Sequence, residues 1–155
     1  MKTTFMITAL SGCLLWTAIG AEVRLEDCPP AVQSTIRENS RSGKIDEIES
    51  FAIQGKTLYV AEVELGGDRD LKIHVASDGA LVKTREDFPY AEVPDAVRKT
   101  VESKLGGGTA DDVDKEISGN TVTYFVEIDR SGAPDVDLAI DAEGKLLSET
   151  EDAGD

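Results

Sequence analysis

The sequence predicts an α+β fold of two tandem repeats, each one helix packed on a small antiparallel sheet of about four strands. Three observations predict it. Separated blocks of the chain repeat at a single shift of 65 residues. Each repeat opens on a proline followed by apolar residues at helical spacing. Each then continues into runs that alternate apolar and polar residues, broken by glycine turns.

The repeat is read block by block. Pro29-Pro30-Ala31-Val32 through Ile36 matches Pro94-Asp95-Ala96-Val97 through Val101, and Tyr59 to Glu64 matches Tyr124 to Asp129. Leu71 to Asp87 matches Val136 to Asp152, with Gly79 falling on Gly144. Residues 22–88 and 89–155 are therefore taken as the two units, joined by the apolar connection Phe88-Pro89-Tyr90-Ala91-Glu92. Glu149 to Asp155 is read as a frayed acidic tail.

In each unit the proline suits the first helical turn, where its missing N–H costs little. Val32 and Ile36, like Val97, Val101 and Leu105, stand four apart and share a stripe. Gly43 and the Gly106-Gly107-Gly108 triplet stop the helices. Tyr59, Ala61, Val63 and Leu65 alternate with Val60, Glu62 and Glu64, as Tyr124, Val126 and Ile128 do with Phe125, Glu127 and Asp129. Asp78-Gly79 and Glu143-Gly144 turn the chain into Leu81-Val82 and Leu146-Leu147. The strands before these, around Ile48 to Ile53 and Val113 to Ile117, alternate less cleanly. A lone unit of this size buries only about 60% of its unfolded surface and is marginal; two copies could join sheets or pack their cores together to relieve this.

The first residues have a different character. Lys2 is followed by an uncharged run from Phe5 to Ile19, and Ala18-Ile19-Gly20 offers small residues at signal-peptidase positions. The run is shorter than the ~20 residues of a membrane span, so residues 1–21 are expected to be a cleaved signal peptide and the protein periplasmic or secreted. Leu10-Ser11-Gly12-Cys13 also reads as a lipobox, which would instead leave the protein lipid-anchored through Cys13. Beyond residue 21 the chain holds 15 basic and 31 acidic residues, a net charge of −16. That charge repels phosphate backbones and anionic lipid, which argues against nucleic acid as a partner; it also serves solubility. Without Cys13, Cys28 has no partner for a disulfide within the chain.

Chemistry is sparse. His74 is the one histidine, so neither a Ser-His pair nor an N/S zinc site assembles convincingly. The acidic turns Asp129 to Asp135 and Asp141 to Gly144 lack the spacing of an EF-hand loop. No catalytic residue, metal ligand or cofactor is assigned, and the chain is read as not an enzyme. The polar sheet face remains as the candidate site. Val60, Glu62, Glu64, Lys72 and His74 are placed there from the first unit, with Phe125, Glu127, Asp129 and Asp137 from the second. Charged groups around an apolar spot make an interface composition, and the acidic ones favour a basic partner surface.

The proline-led Ala-Val helix, the Tyr-x-x-Glu strand (Tyr59 to Glu62, Tyr124 to Glu127) and the turns Val75-Ala76-Ser77-Asp78-Gly79 and Ile140-Asp141-Ala142-Glu143-Gly144 resemble the PepSY-like domains. They are similar in particular to their tandem β-lactamase-inhibitor-like (BLIP-like) group. The resemblance covers essentially all of the chain beyond the signal segment. It implies an exported α+β module that binds another exported protein, with peptidases as the targets PepSY domains are thought to restrain. An envelope protein binding a small ligand or calcium is the alternative, and a lipid-anchored accessory a third.

Overall fold

The structure, a computed structural model, describes residues 20–151. The expected signal segment up to Ile19, the lipobox cysteine Cys13 and residues 152–155 lie outside them. Ala21 and Glu22 form β1 (Ala21–Glu22), so the boundary expected after residue 21 falls within a strand. Then come α1 (Pro30–Asn39), β2 (Lys44–Ile53), β3 (Lys56–Glu64), β4 (Asp70–Ala76) and β5 (Leu81–Asp87). A single-turn 3-10 helix at Tyr90–Glu92 leads into α2 (Asp95–Lys104), β6 (Thr109–Ser118), β7 (Thr121–Asp129), β8 (Val136–Asp141) and β9 (Leu146–Glu151).

The expectation of two units, each with its own small sheet of about four strands, is corrected. All nine strands form one antiparallel sheet in chain order. The join is β5 against β6, with Thr84 opposite Ile117, Arg85 opposite Glu116, Glu86 opposite Lys115 and Asp87 opposite Asp114. Separate sheets would leave both of these strand edges with unpaired N–H and C=O groups. Pairing them satisfies those groups and places Lys83 2.8 Å from Glu116 and Arg85 2.6 Å from Asp114 across the seam.

Cross-strand partners lie on one face of a sheet. The row Leu71, Glu86, Lys115, Tyr124, Ile140 runs from the core under α1 to the core under α2. Both helices therefore cover the same face and leave the other open. Under α1, Val32 and Ile36 pack on Ile48, Ala61, Val63, Leu71, Ile73 and Val75; under α2, Val97 and Val101 pack on Val113, Tyr124, Val126, Ile128, Leu138 and Ile140. Each fully buried aliphatic side chain contributes about 1.5–3 kcal/mol.

Pro30 stands at the start of α1, whereas Pro94 caps α2, which begins at Asp95. Each helix is fastened to the hairpin beneath it by a threonine: the Thr35 hydroxyl donates to the Gly79 carbonyl at 2.6 Å and Thr100 to Gly144 at 2.5 Å. These glycines take φ of +89° and +87°, and a Cβ on either would strike the helix at Ala31 or Ala96. Only glycine combines that left-handed backbone with so close an approach.

The poor alternation around β2 and β6 has a structural cause. Apolar Phe51 and Ile53 stand on the open face beside Glu49, and the charged Lys115 takes a helix-side position opposite Tyr124, while the bulges between Ile45 and Glu47 and between Ala110 and Val113 lie just before these stretches. Of the tail expected to fray, Glu149 to Glu151 belong to β9, with Lys104 holding Glu149 at 2.6 Å, and residues 152–155 lie outside the described residues. Between the two cores the helix-side face is polar. Glu86 is buried there, ion-paired with Arg41, and Phe88 stands edge-on to Tyr124 with Lys115 4.9 Å above the Phe88 ring.

Candidate functional site

The open face is built by alternate residues of β2 to β9. Glu62 lies opposite Lys72, which lies opposite Arg85, which lies opposite Glu116. In the next row Glu49 faces Val60, Val60 faces His74 and His74 faces Lys83. Toward the second half, Asp114 faces Phe125, which faces Ala139; beside them Glu127 faces Asp137.

The sequence-predicted residues are thus brought together in two groups. Val60, Glu62, Lys72 and His74 touch on β3 and β4, with Lys72 3.8 Å from Glu62. Phe125, Glu127 and Asp137 adjoin on β7 and β8. Glu64 and Asp129 stand at the strand ends; Glu64 binds Lys44 at 3.3 Å, and Asp129 lies opposite Thr109. Four residues that sequence reasoning missed connect the groups: Lys83, Arg85, Asp114 and Glu116 on β5 and β6. Arg85 is central. Its guanidinium donates to Asp114 at 2.9 and 2.6 Å and stacks 4.5 Å from the Phe125 ring centroid. The alternation of Lys83 and Arg85 with Thr84 and Glu86 was the available signal, but only the β5–β6 pairing turns it into part of this site.

Around this stack the face is carved. A cleft of about 640 Å³ at the base of β5 and β6 is lined by Arg69, Asp87, Phe88, Tyr90, Asp111, Asp112, Asp114 and Glu127. A second, of about 330 Å³, shares Asp112, Asp114 and Glu127 and is floored by Phe125 and Ala139. Slight burial, and then Asp137 and Asp112, push the Glu127 carboxyl above the usual glutamate range. At the opposite end, desolvation and the charges of Glu49 and Glu22 do the same to Glu47. His74 is half-buried, and burial followed by Lys83 holds its imidazole below the ordinary histidine value. The face is therefore acidic at both ends, with Lys72, Lys83 and Arg85 in the middle, each already paired to a carboxylate.

The acidic turns are occupied by their own backbones. Asp141 accepts from the amides of Glu143 and Lys145 at 3.1 and 2.8 Å, and Asp135 accepts from the Arg130 amide at 2.9 Å. Cys28 is in the core under α1, and burial pushes its thiol up, with Asp27 and Glu26 adding to the effect. Among the described residues, no helix is long and apolar enough to cross a membrane.

A single antiparallel sheet with two helices on one face and a charged, cleft-bearing open face defines an α+β protein whose accessible chemistry is ionic and aromatic contact. A family model described as "Putative beta-lactamase-inhibitor-like, PepSY-like" matches the chain twice, over residues 15–83 and 76–148. The chain belongs to this PepSY-like family. Its fold is similar to that of a protein described as a putative periplasmic protein from Bacteroides eggerthii (TM-score 0.65, 16% identity, 80% of this chain and 88% of that one). It is similar also to a DUF2874 family protein from Bacteroides uniformis (0.65, 18%, 80% and 89%). A BLIP-like protein from Bacteroides fragilis is similar as well (0.63, 19%, 83% and 89%). At these identities the likeness is one of fold. No curated protein matches the chain.

Proposed function

We propose that this chain is an exported, non-enzymatic protein-binding module of the periplasm or secreted fraction. It engages a basic surface of another exported protein through the open face of its sheet. The observation that carries this reading is the Arg85–Phe125 stack beside Asp114, at the point where the two halves join. It sets a rigid aromatic floor among the Asp112, Glu127 and Asp137 carboxylates. Aromatic anchors ringed by charge are the composition from which binding energy concentrates. Acidic rims accelerate the approach of a basic partner. Inhibition or modulation of a peptidase by occlusion is the specific form that membership of an inhibitor-like family favours.

The test is comparative capture from the envelope and secreted fractions of the source organism. The chain from Glu22 onward serves as bait against a Lys72→Glu, Phe125→Ala, Glu127→Lys variant confirmed to be folded. A partner retained by the first and lost by the second supports the reading, and a captured peptidase is then assayed for inhibition. Equal capture by both baits overturns the assignment of binding to this face.

A further inference from the structure

The chain opens on a copy of its own middle. At the 65-residue shift, β1, a single-turn 3-10 helix at Leu25–Asp27 and α1 fall on the end of β5, the turn Tyr90–Glu92 and α2. The geometry follows in detail. The Val23 amide donates to the Ile48 carbonyl at 2.8 Å, as Phe88 does to Val113, and Cys28 is buried where Val93 is. Ala21 and Glu22 lie opposite Ser50 and Glu49 as Glu86 and Asp87 lie opposite Lys115 and Asp114. In the middle of the sheet this pairing continues through Arg85 opposite Glu116 and Thr84 opposite Ile117. Their counterparts are Gly20 and, outside the described residues, Ile19, set by the same register against Phe51 and Ala52.

Gly20 already takes its place in this scheme. A Cβ there would lie 2.7 Å from the Phe51 ring and from the Glu49 carboxylate, both on the open face, so only glycine passes beneath them. An aromatic ring laid across a glycine of the neighbouring strand stabilises an edge pair. The two joins also differ in a matched way. Arg85 faces Glu116 with Lys83 2.8 Å from it, whereas Gly20 and Ala18 stand at the corresponding positions against Phe51 and Ile53. Charge answers charge at one join, and small residues answer apolar ones at the other. Gly20 thus has a packing reason to be small besides its fit to a peptidase site. The family match opens at residue 15, which the same shift sets on Ala80, immediately before β5.

We infer that Ile19 and Gly20 stay on the mature protein as part of its first strand, and that export processing falls at the lipobox, before Cys13, rather than at Gly20 or Ala21. A cut at either of the latter leaves the Ala52 edge of β2 without N–H and C=O partners. At the lipobox the Cys13 thiol takes the diacylglyceryl group of a phospholipid. A C–S thioether forms, the C–O bond to the phosphate breaks, and the thiol proton leaves with the phosphate headgroup. Water then hydrolyses the Gly12–Cys13 peptide bond. Two acyl chains hold a protein whose acidic charge gives it no attraction to anionic lipid, and the uncharged residues Leu14 to Ala18 join the anchor to the sheet. This goes beyond the proposed function: it fixes the module at a membrane surface and leaves its open face free.

Bonded pairs alternate along an antiparallel ladder, so the bond from Val23 to Ile48 makes Ile19 and Ala52 a bonded pair in this register. Amide hydrogen exchange is compared between the chain from Thr17 and the chain from Ala21, both without lipid. The expected result is an Ala52 amide that exchanges at least about tenfold more slowly in the longer chain, with the amides of β7 unchanged. Processing is read in the source organism grown with an alkyne-tagged fatty acid. The protein is expected in the membrane fraction, labelled, with Cys13 as its first residue, and Cys13→Ala abolishes the label. Equal exchange of Ala52 in the two chains, or an unlabelled protein beginning at Ala21 or Glu22, would each overturn the inference.

Discussion

Replacing Gly144 by alanine tests how the helices are seated. At φ +87° a non-glycine residue costs about 1–2 kcal/mol. The new Cβ would also lie 2.5 Å from the Ala96 carbonyl oxygen and 2.7 Å from its carbon, atoms of the α2 backbone. They yield only if the helix lifts from the sheet, and overpacking of this kind costs a further ~1–3 kcal/mol. Alanine returns about 0.4–1 kcal/mol through the unfolded chain. The net expectation is a loss of about 3 kcal/mol. Gly119 supplies the control: its φ is +57° but nothing lies within 4 Å of a Cβ there, so Gly119→Ala keeps only the backbone cost, about 1 kcal/mol. For a fold of this size, these correspond to melting temperatures lower by roughly 10 °C and 3–5 °C. Urea unfolding followed by circular dichroism measures both. If Gly144→Ala is no more costly than Gly119→Ala, the helix is not held by close approach to the hairpin and the reasoning fails.

Other outcomes follow from the same contacts. Thr100→Val removes the hydroxyl donated to Gly144 at 2.5 Å and lowers stability by about 1 kcal/mol in urea unfolding, as does Thr35→Val at Gly79. Arg41→Ala leaves the buried Glu86 carboxylate without its partner and costs about 1–3 kcal/mol, whereas Glu86→Leu, which removes the buried charge itself, stays within about 1 kcal/mol of the native chain. The raised carboxyl of Glu127 gives the folded state the greater proton affinity. Its contribution is therefore present below the unfolded value of about 4.3 and lost as pH rises through the folded one, so the melting temperature gains on acidification through that window and Glu127→Gln reduces the gain. His74 acts in the opposite sense. Its lowered value contributes stability above about pH 6.5 that is lost as pH falls through the folded value, and melting curves of His74→Gln lack that loss.

The sequence by itself determined what is local. Helical spacing of Val97 and Val101, alternation along Tyr124 to Ile128 and the glycines at 79 and 144 each report on a few neighbouring residues, and the burial of Val32, Ile36, Ala61 and Val63 agrees with them. That signal was blurred in β2 and β6 because the open face takes apolar Phe51 and Ile53 and the helix side takes the charged Lys115, reversing the usual apolar-in, polar-out assignment. What only the tertiary structure decided is the union of β5 with β6. Hydrogen bonding between strand edges leaves no periodicity in either strand, so nothing in Lys83 to Asp87 announces Asp114 to Ile117 as its partner. That one pairing makes two expected sheets into one and brings Arg85 over Phe125, placing the centre of the candidate site at the β5–β6 join.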